Sequence, residues 1–376
     1  MNHQNNCIKK RILLHVGLHK TASTYIQETL AQSRHSLRKQ GWSYPVYSDG
    51  NKKKIANHSN LLYTLFEEHT NSYIPNIKSR TNKQELFKNF KSILMRELES
   101  DSNLILSGED VSALSQDSLH ALAKILEPYD LTVIAFVRET YSHLCSNLQQ
   151  RIHRGVHGLK IEVPNLSQNC SRIKEAFPDT KFYSYEKVKA TKNGFTNIIS
   201  EICNVTIKPS NKKIWNESLG NKTIRFLAEF NQYYPLLSED NKLNPDRPIF
   251  NVKRIDFDTK KFLLKKSEFR TVVRQIREEN AKLRSCTGLK SIRIIKPIPF
   301  ADDSELTRSE AMDLLIKTTT MPSALAYRAL IYVLQQKVGL KIYKITRPSL
   351  NIMLFRYQII RRLKTLISRK KLNSGH

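Results

Sequence analysis

The sequence predicts an α/β protein: a mostly parallel sheet with helices on both faces, followed by a basic helical C-terminal region. Three observations lead there. Short apolar runs alternate with helical patterns through the first half of the chain. The runs are continuous rather than alternating apolar and polar, as in strands buried on both faces. After Asp313 the chain has no Asp or Glu, while Lys and Arg continue to its end among Leu, Ile, Tyr and Phe.

Arg11–Val16 (RILLHV) is the first strand, and Gly17–Ala22 a tight turn after it. Helix follows from Ser23, with Ile26, Leu30 and Leu37 on one stripe and Gly41 as a stop. Residues 45–89 are polar and irregular and read as a long insertion on the ligand side of the sheet. Asn103–Ser107 is the second strand and Ser115–Leu126 an amphipathic helix. Leu131–Val137 (LTVIAFV) is the strongest strand signal, with helix over Thr140–Arg151. Lys181–Tyr185 is a further strand, followed by helix over Phe195–Cys203. Strands alternating with helices imply the parallel sheet. From Trp215 to Ser285 the pattern is helical; Pro297 and Pro299 then break it. Thr307-Arg308-Ser309-Glu310 is a capping box that opens a last helical region. The expected division is 1–300 as the α/β domain and 301–376 as the basic helical region.

Composition narrows the function. The 376 residues suit one large domain with an appendage, or two domains. Lys and Arg number 62 against 34 Asp and Glu, a formal charge of +28. That excess predicts an anionic partner: phosphate, sulfate, nucleic acid or an acidic lipid surface. No run of about 18 uncharged apolar residues exists, so a membrane span is not expected. The N-terminus does not read as a secretory signal, since its apolar run Ile12–Val16 is too short. The five cysteines (Cys7, Cys145, Cys170, Cys203, Cys286) are scattered, with no C-x-x-C pair. A disulfide framework or zinc site is therefore not expected, and a reducing cytoplasm is the default.

The turn after the first strand is the informative motif. Strand end, turn and helix start bring backbone N–H groups and a helix dipole to one point, which suits an anion. Lys20 adds a point charge, and Thr21, Ser23 and Thr24 add hydroxyls. The Walker A pattern G-x-x-x-x-G-K-[ST] is absent.

Leu14-His15-Val16-Gly17-Leu18-His19-Lys20-Thr21-Ala22-Ser23-Thr24-Tyr25 resembles the 5′-phosphosulfate loop of sulfotransferases that use 3′-phosphoadenosine 5′-phosphosulfate (PAPS). The nearest pattern is that of bacterial, carbohydrate-type members. Ala22 stands where the family usually has Gly, a mild departure if φ is negative there. A second family element is an Arg that ends a central strand, with a Ser eight residues later; Arg138 and Ser146 match it. The family's usual Asn-Pro after that Arg is Glu139-Thr140 here. Tyr183-Ser184-Tyr185-Glu186 resembles a third landmark, which would put Tyr185 near the adenine. Trp215–Leu219 and Glu279–Leu283 (ENAKL) resemble late helical signatures. The resemblance covers about residues 9–300.

The resemblance implies a P-loop NTPase-like fold and in-line transfer of a sulfuryl group from PAPS to a saccharide hydroxyl, with no metal. Such transfer is mostly positioning and charge neutralisation. Lys20 would stabilise the leaving phosphate oxygen, and amides of residues 21–24 would hold the 5′-phosphate. By the same resemblance His19, Thr21, Ala22, Ser23, Thr24 and Tyr25 would line that cradle. Arg138 and Ser146 would bind the 3′-phosphate. For the acceptor's proton the first candidate is Glu109 and the second Asp110, with Ser107 against the leaving group. His58, in the insertion, is a further candidate, and His15 is expected to be structural.

The acceptor implied is a saccharide or glycolipid of a capsule, lipopolysaccharide or exopolysaccharide. Two readings stand for residues 314–376: a helical surface on an anionic membrane, or a packed helical extension whose cations face solvent or an acidic glycan. The first is favoured, giving a cytoplasmic protein held at the inner face of the membrane. Nucleic acid is not expected, for lack of a binding motif. The rivals to transfer are a P-loop-type nucleotide-dependent kinase and a non-catalytic binder of anionic glycan or lipid.

Overall fold

The structure, a computed structural model, describes residues 9–48, 54–67, 83–156, 158–209, 219–236, 244, 261–292 and 300–301. The chain folds as two units. The first holds residues 1–144, 162–217 and 270–298; the second holds 145–161, 218–269 and 299–376. The expected signatures at Trp215 and Thr307 and the basic region 314–376 lie outside the described residues.

The first unit is built on a five-stranded, all-parallel sheet. Its strands are β1 (Arg11–Val16), β2 (Trp42–Ser43), β5 (Asn103–Gly108), β6 (Asp130–Val137) and β7 (Lys181–Ser184), in the order β2-β5-β1-β6-β7. A small antiparallel pair, β3 (Tyr47–Ser48) with β4 (Lys54–Ile55), stands apart. β1 is central and pairs on both sides, Leu13 facing Ile105 and Thr132. All of its residues after Arg11 are buried, which is why its sequence is almost wholly apolar.

Side chains alternate between the two faces of a strand, and two hydrophobic clusters result. On one face, Ile12, Leu14, Val16, Leu104, Leu106, Val133 and Val137 meet three helices: α3 (Lys83–Glu99), α4 (Gln116–Leu126) and α6 (Leu166–Ala176). On the other, Leu13, Ile105, Ile134 and Phe136 meet α1 (Ser23–Lys39) and α8 (Gly194–Cys203). The periodic residues Ile26, Leu30 and Leu37 are the buried stripe of α1. His15 falls among the apolar positions of β1. Its Nδ1 meets Ser107 Oγ at 2.8 Å, and its ring packs edge-on against Phe136.

The described parts of the insertion form regular structure that its composition does not suggest. Besides β3 and β4 it holds α2 (Ser59–Phe66), and α3 begins at Lys83. Leu86, Phe90, Leu94 and Leu98 of α3 are buried at helical spacing. Short helix α7 (Tyr185–Ala190) follows β7 directly, so Tyr185 opens a helix rather than ending a strand.

The second unit contains the later part of α5 (Thr140–His153), α9 (Asn221–Tyr233) and the first residues of α10 (Lys266–Thr287). Arg225 of α9 forks onto both oxygens of Glu268, at 2.7 and 2.9 Å, and lies over the Phe262 ring. Asn231 Nδ2 donates to the carbonyls of Ile152 and Val156, satisfying the end of α5.

Candidate anion-binding site at the carboxyl ends of the strands

In a parallel sheet every strand delivers its following loop to the same edge, and ligands bind there. Here β1 delivers the Gly17–Ala22 turn, β5 delivers Glu109 and Asp110, β6 delivers Arg138 and β7 delivers Tyr185.

The turn is held tightly. A Cβ on Gly17 would stand 2.7 Å from Glu109 Cα and 2.7 Å from Ser23 Oγ, so only glycine fits. Gly17 N–H donates to Gly108 O at 3.0 Å, extending the β1–β5 ladder. Lys20 and Ala22 both take positive φ, 67° and 68°. The mild reading of Ala22 therefore does not hold: its backbone sits where the Cβ crowds the carbonyl, and glycine would be unstrained. Thr21 is fully buried and its hydroxyl donates to the Leu18 carbonyl, so that hydroxyl braces the turn and does not face a ligand.

Two loop carbonyls are tied from the β6 side. His143 Nε2 donates to His19 O at 3.0 Å, and Arg138 Nη1 donates to Lys20 O at 3.1 Å. In a trans peptide the following N–H points the opposite way. The Lys20 amide accordingly reaches the Glu109 carboxylate. Arg138 is fixed further by Nε donating to Ser142 Oγ at 2.8 Å and by lying 4.9 Å from the Tyr185 ring centre. Ser142, one turn before Ser146, is the hydroxyl on Arg138; Ser146 lies in the part of α5 that belongs to the second unit.

Glu139 caps α5, accepting from the N–H groups of Tyr141 and Ser142, both at 2.9 Å. Asn280 of α10 donates to Glu139 and accepts from Thr140 N–H at 3.2 Å and from its hydroxyl. Glu139-Thr140 is thus an alternative way of closing the helix start beside Arg138.

Across the turn, His19 bridges two carboxylates. Its Nδ1 lies 3.4 Å from Glu109 Oε1 and its Nε2 lies 3.1 Å from Asp110 Oδ1. These bonds to Asp110 and then Glu109 raise the imidazole to about 9, so it is protonated at neutral pH. Burial opposes the charge on Glu109, but the bond from His19 and the charges of His19 and Lys20 outweigh it and hold the carboxyl below its ordinary range. Of the two carboxylates, Glu109 is the accessible one: 24% of its side chain is exposed, against 7% for Asp110.

His58 lies elsewhere. It is fully buried; Nε2 donates to Pro45 O at 2.7 Å and Nδ1 accepts from Ser107 N–H at 2.9 Å. Burial lowers its imidazole to about 4. Neither nitrogen is open to a substrate proton, so His58 pins the insertion to β5. Ser107 is equally spent, its hydroxyl meeting His15 and its carbonyl accepting from His58 N–H and Gln27. Of the remaining loop candidates, Ser23 is buried and its Oγ has no partner among the described residues, Thr24 is exposed at the start of α1, and Tyr25 packs partly into the α1-side core.

Together these groups form a cationic shelf. His19, Lys20 and Arg138 stand around one turn that also carries the start of a 17-residue helix with no acidic residue in its first turn. Such an arrangement can hold an anion and neutralise charge that develops on it. Ser142 and His143 escape the sequence reading, and Asn280 enters it only within the ENAKL signature; each acts through a contact to the backbone, to Arg138 or to Glu139, which no motif spacing displays. No family model matches the chain, and no curated protein matches it by sequence.

Proposed function

We propose that this protein is a PAPS-dependent sulfotransferase with a P-loop NTPase-like body, moving a sulfuryl group to a saccharide hydroxyl. The observation that carries the reading is the hydrogen bond from Arg138 to the Lys20 carbonyl, because it brings the end of β6 against the turn that carries Lys20. An adenosine bisphosphate has two separated anionic ends, and an anchored guanidinium beside a lysine-bearing turn suits such a ligand. The Ser23 hydroxyl beside the turn, which has no partner among the described residues, suits one more anionic oxygen.

The donor supplies the activated sulfuryl group. Lys20 and the amides of residues 21–24 hold its 5′ end, and Arg138, stacked with Tyr185, holds the 3′-phosphate end. Protonated His19 offsets the Glu109 and Asp110 carboxylates beside Lys20. Glu109, the more exposed carboxylate, receives the acceptor's proton.

Incubating the protein with sulfur-labelled PAPS and polysaccharide fractions tests the reading. Label is expected to move without added divalent metal, and Lys20→Ala to abolish it. Stabilisation by ATP with Mg²⁺ but not by 3′,5′-ADP would replace the reading with a nucleotide kinase. Glycan binding that survives Lys20→Ala, with no transfer, would replace it with a non-catalytic binder.

A further inference from the structure

Cysteines 116 positions apart in sequence meet in the first unit. Cys170 lies on α6, fully buried, and Cys286 lies in the last turn of α10, half-buried. Cys286 packs against the core cluster that holds Cys170. The two helices are joined by polar contacts on either side. Glu279 accepts from Ser167 N–H at 2.6 Å and from its hydroxyl at 3.1 Å, and Lys174 Nζ donates to the Cys286 carbonyl at 3.3 Å. Cys286 Sγ also lies 3.9 Å from Ser167 O.

The pair is chemically asymmetric. The neighbouring Cys170 thiol lowers the Cys286 thiol to about 7, whereas the neighbouring Cys286 thiol and burial push Cys170 well up. A partly exposed thiol of lowered pKa is the kind that reacts with peroxide; a buried neutral thiol beside it is placed to resolve the product. Cys203, by contrast, packs in the opposite core cluster.

We propose that Cys170 and Cys286 are a peroxide-responsive modification site that closes into a disulfide, stapling α10 to α6. In the first step the Cys286 thiolate attacks hydrogen peroxide, the O–O bond breaks, and Cys286 sulfenic acid and hydroxide form. In the second, the Cys170 sulfur attacks the Cys286 sulfur, the S–O bond breaks and water leaves with the Cys170 proton. Two thiols and one peroxide give one disulfide and two waters. The staple forms six residues beyond Asn280, the residue that holds the start of α5 beside Arg138. Oxidation thus fixes the helix that supports the cationic shelf.

The test is mild peroxide treatment of the full chain carrying Cys7→Ser, since Cys7 lies outside the described residues. It is followed by alkylation and peptide mass spectrometry. A linked Cys170–Cys286 peptide is expected, two hydrogens lighter than the reduced pair and cleaved by dithiothreitol. The oxidised protein should melt roughly 5–10 °C higher than the reduced one, because the bridge restricts the unfolded chain. With Cys170→Ser, Cys286 should instead be captured by a sulfenic-acid reagent; with Cys286→Ser, Cys170 should stay unmodified. Absence of the linked peptide while Cys286 is over-oxidised, equal linkage through Cys145 or Cys203, or modification of Cys170 in Cys286→Ser would each overturn the proposal.

Discussion

The Arg138 guanidinium binds the Lys20 carbonyl at 3.1 Å, although 118 residues separate the two in sequence. The end of β6 and the turn after β1 are therefore one mechanical element. Arg138→Ala removes that bond, the bond to Ser142 and the contact with Tyr185 together. Affinity for 3′,5′-ADP should fall by about 10–100-fold, the loss expected for one charge-assisted pair. Arg138→Lys should recover only part of it, because an ammonium cannot span Lys20 O and Ser142 Oγ with one planar fork. Calorimetric titration of the three proteins measures this; equal affinities would remove Arg138 from the site.

His19 should titrate near pH 9 rather than 6.5, as read from its ring-proton chemical shifts against pH. Because the folded value lies above the unfolded one, the stabilisation from this bridge is fully present below about pH 6.5 and is lost as pH rises through about 9. Asp110→Asn removes the largest cause of the shift and should lower the titration midpoint toward its ordinary value. A midpoint unchanged by that substitution would show that the bridge does not form.

Three histidines act in the opposite sense. Burial lowers His15 and His58 to about 4 and, with the nearby Arg138 charge, His143 to about 3. They stay neutral in the folded protein while their unfolded counterparts take up protons below about pH 6.5. Stability should fall between pH 6.5 and 4, by roughly 1–2 kcal/mol for each histidine by pH 5. Denaturant midpoints at pH 7 and pH 5 measure the fall, and His58→Gln should reduce the pH dependence even if it lowers stability at both.

Ala22→Gly should stabilise the fold by about 1 kcal/mol, since the left-handed backbone there is strained for any residue with a Cβ. Gly17→Ala should do the reverse and more strongly, because its Cβ would strike the Glu109 backbone. Thermal denaturation of both variants decides it. A destabilised Ala22→Gly would mean the turn relaxes to negative φ in solution.

The parallel sheet was legible because its strands are continuous apolar runs: β1, β5 and β6 fall where the sequence places them, within a residue. Helix α3 was hidden because Leu86, Phe90, Leu94 and Leu98 are separated by Lys, Asn and Glu in a stretch whose Asn- and Ser-rich flanks read as loop. Strand β2 is two residues long and carries no periodicity. At the site, the turn and Arg138 were visible as motifs. The His19 bridge was not, because its partners come from a strand end some 90 residues away. His58 misled for the same reason: a histidine in a polar segment looks accessible until Pro45 and Ser107 are seen to occupy both nitrogens.

Asn280 and Glu279 complete the starts of α5 and α6, which precede them by 140 and 112 residues. During synthesis those two helix ends emerge long before their partners exist. At about 5–20 residues per second the ribosome takes on the order of ten seconds to cover that gap. For that interval the Thr140 and Ser167 amides lack the side-chain partners that the finished fold gives them.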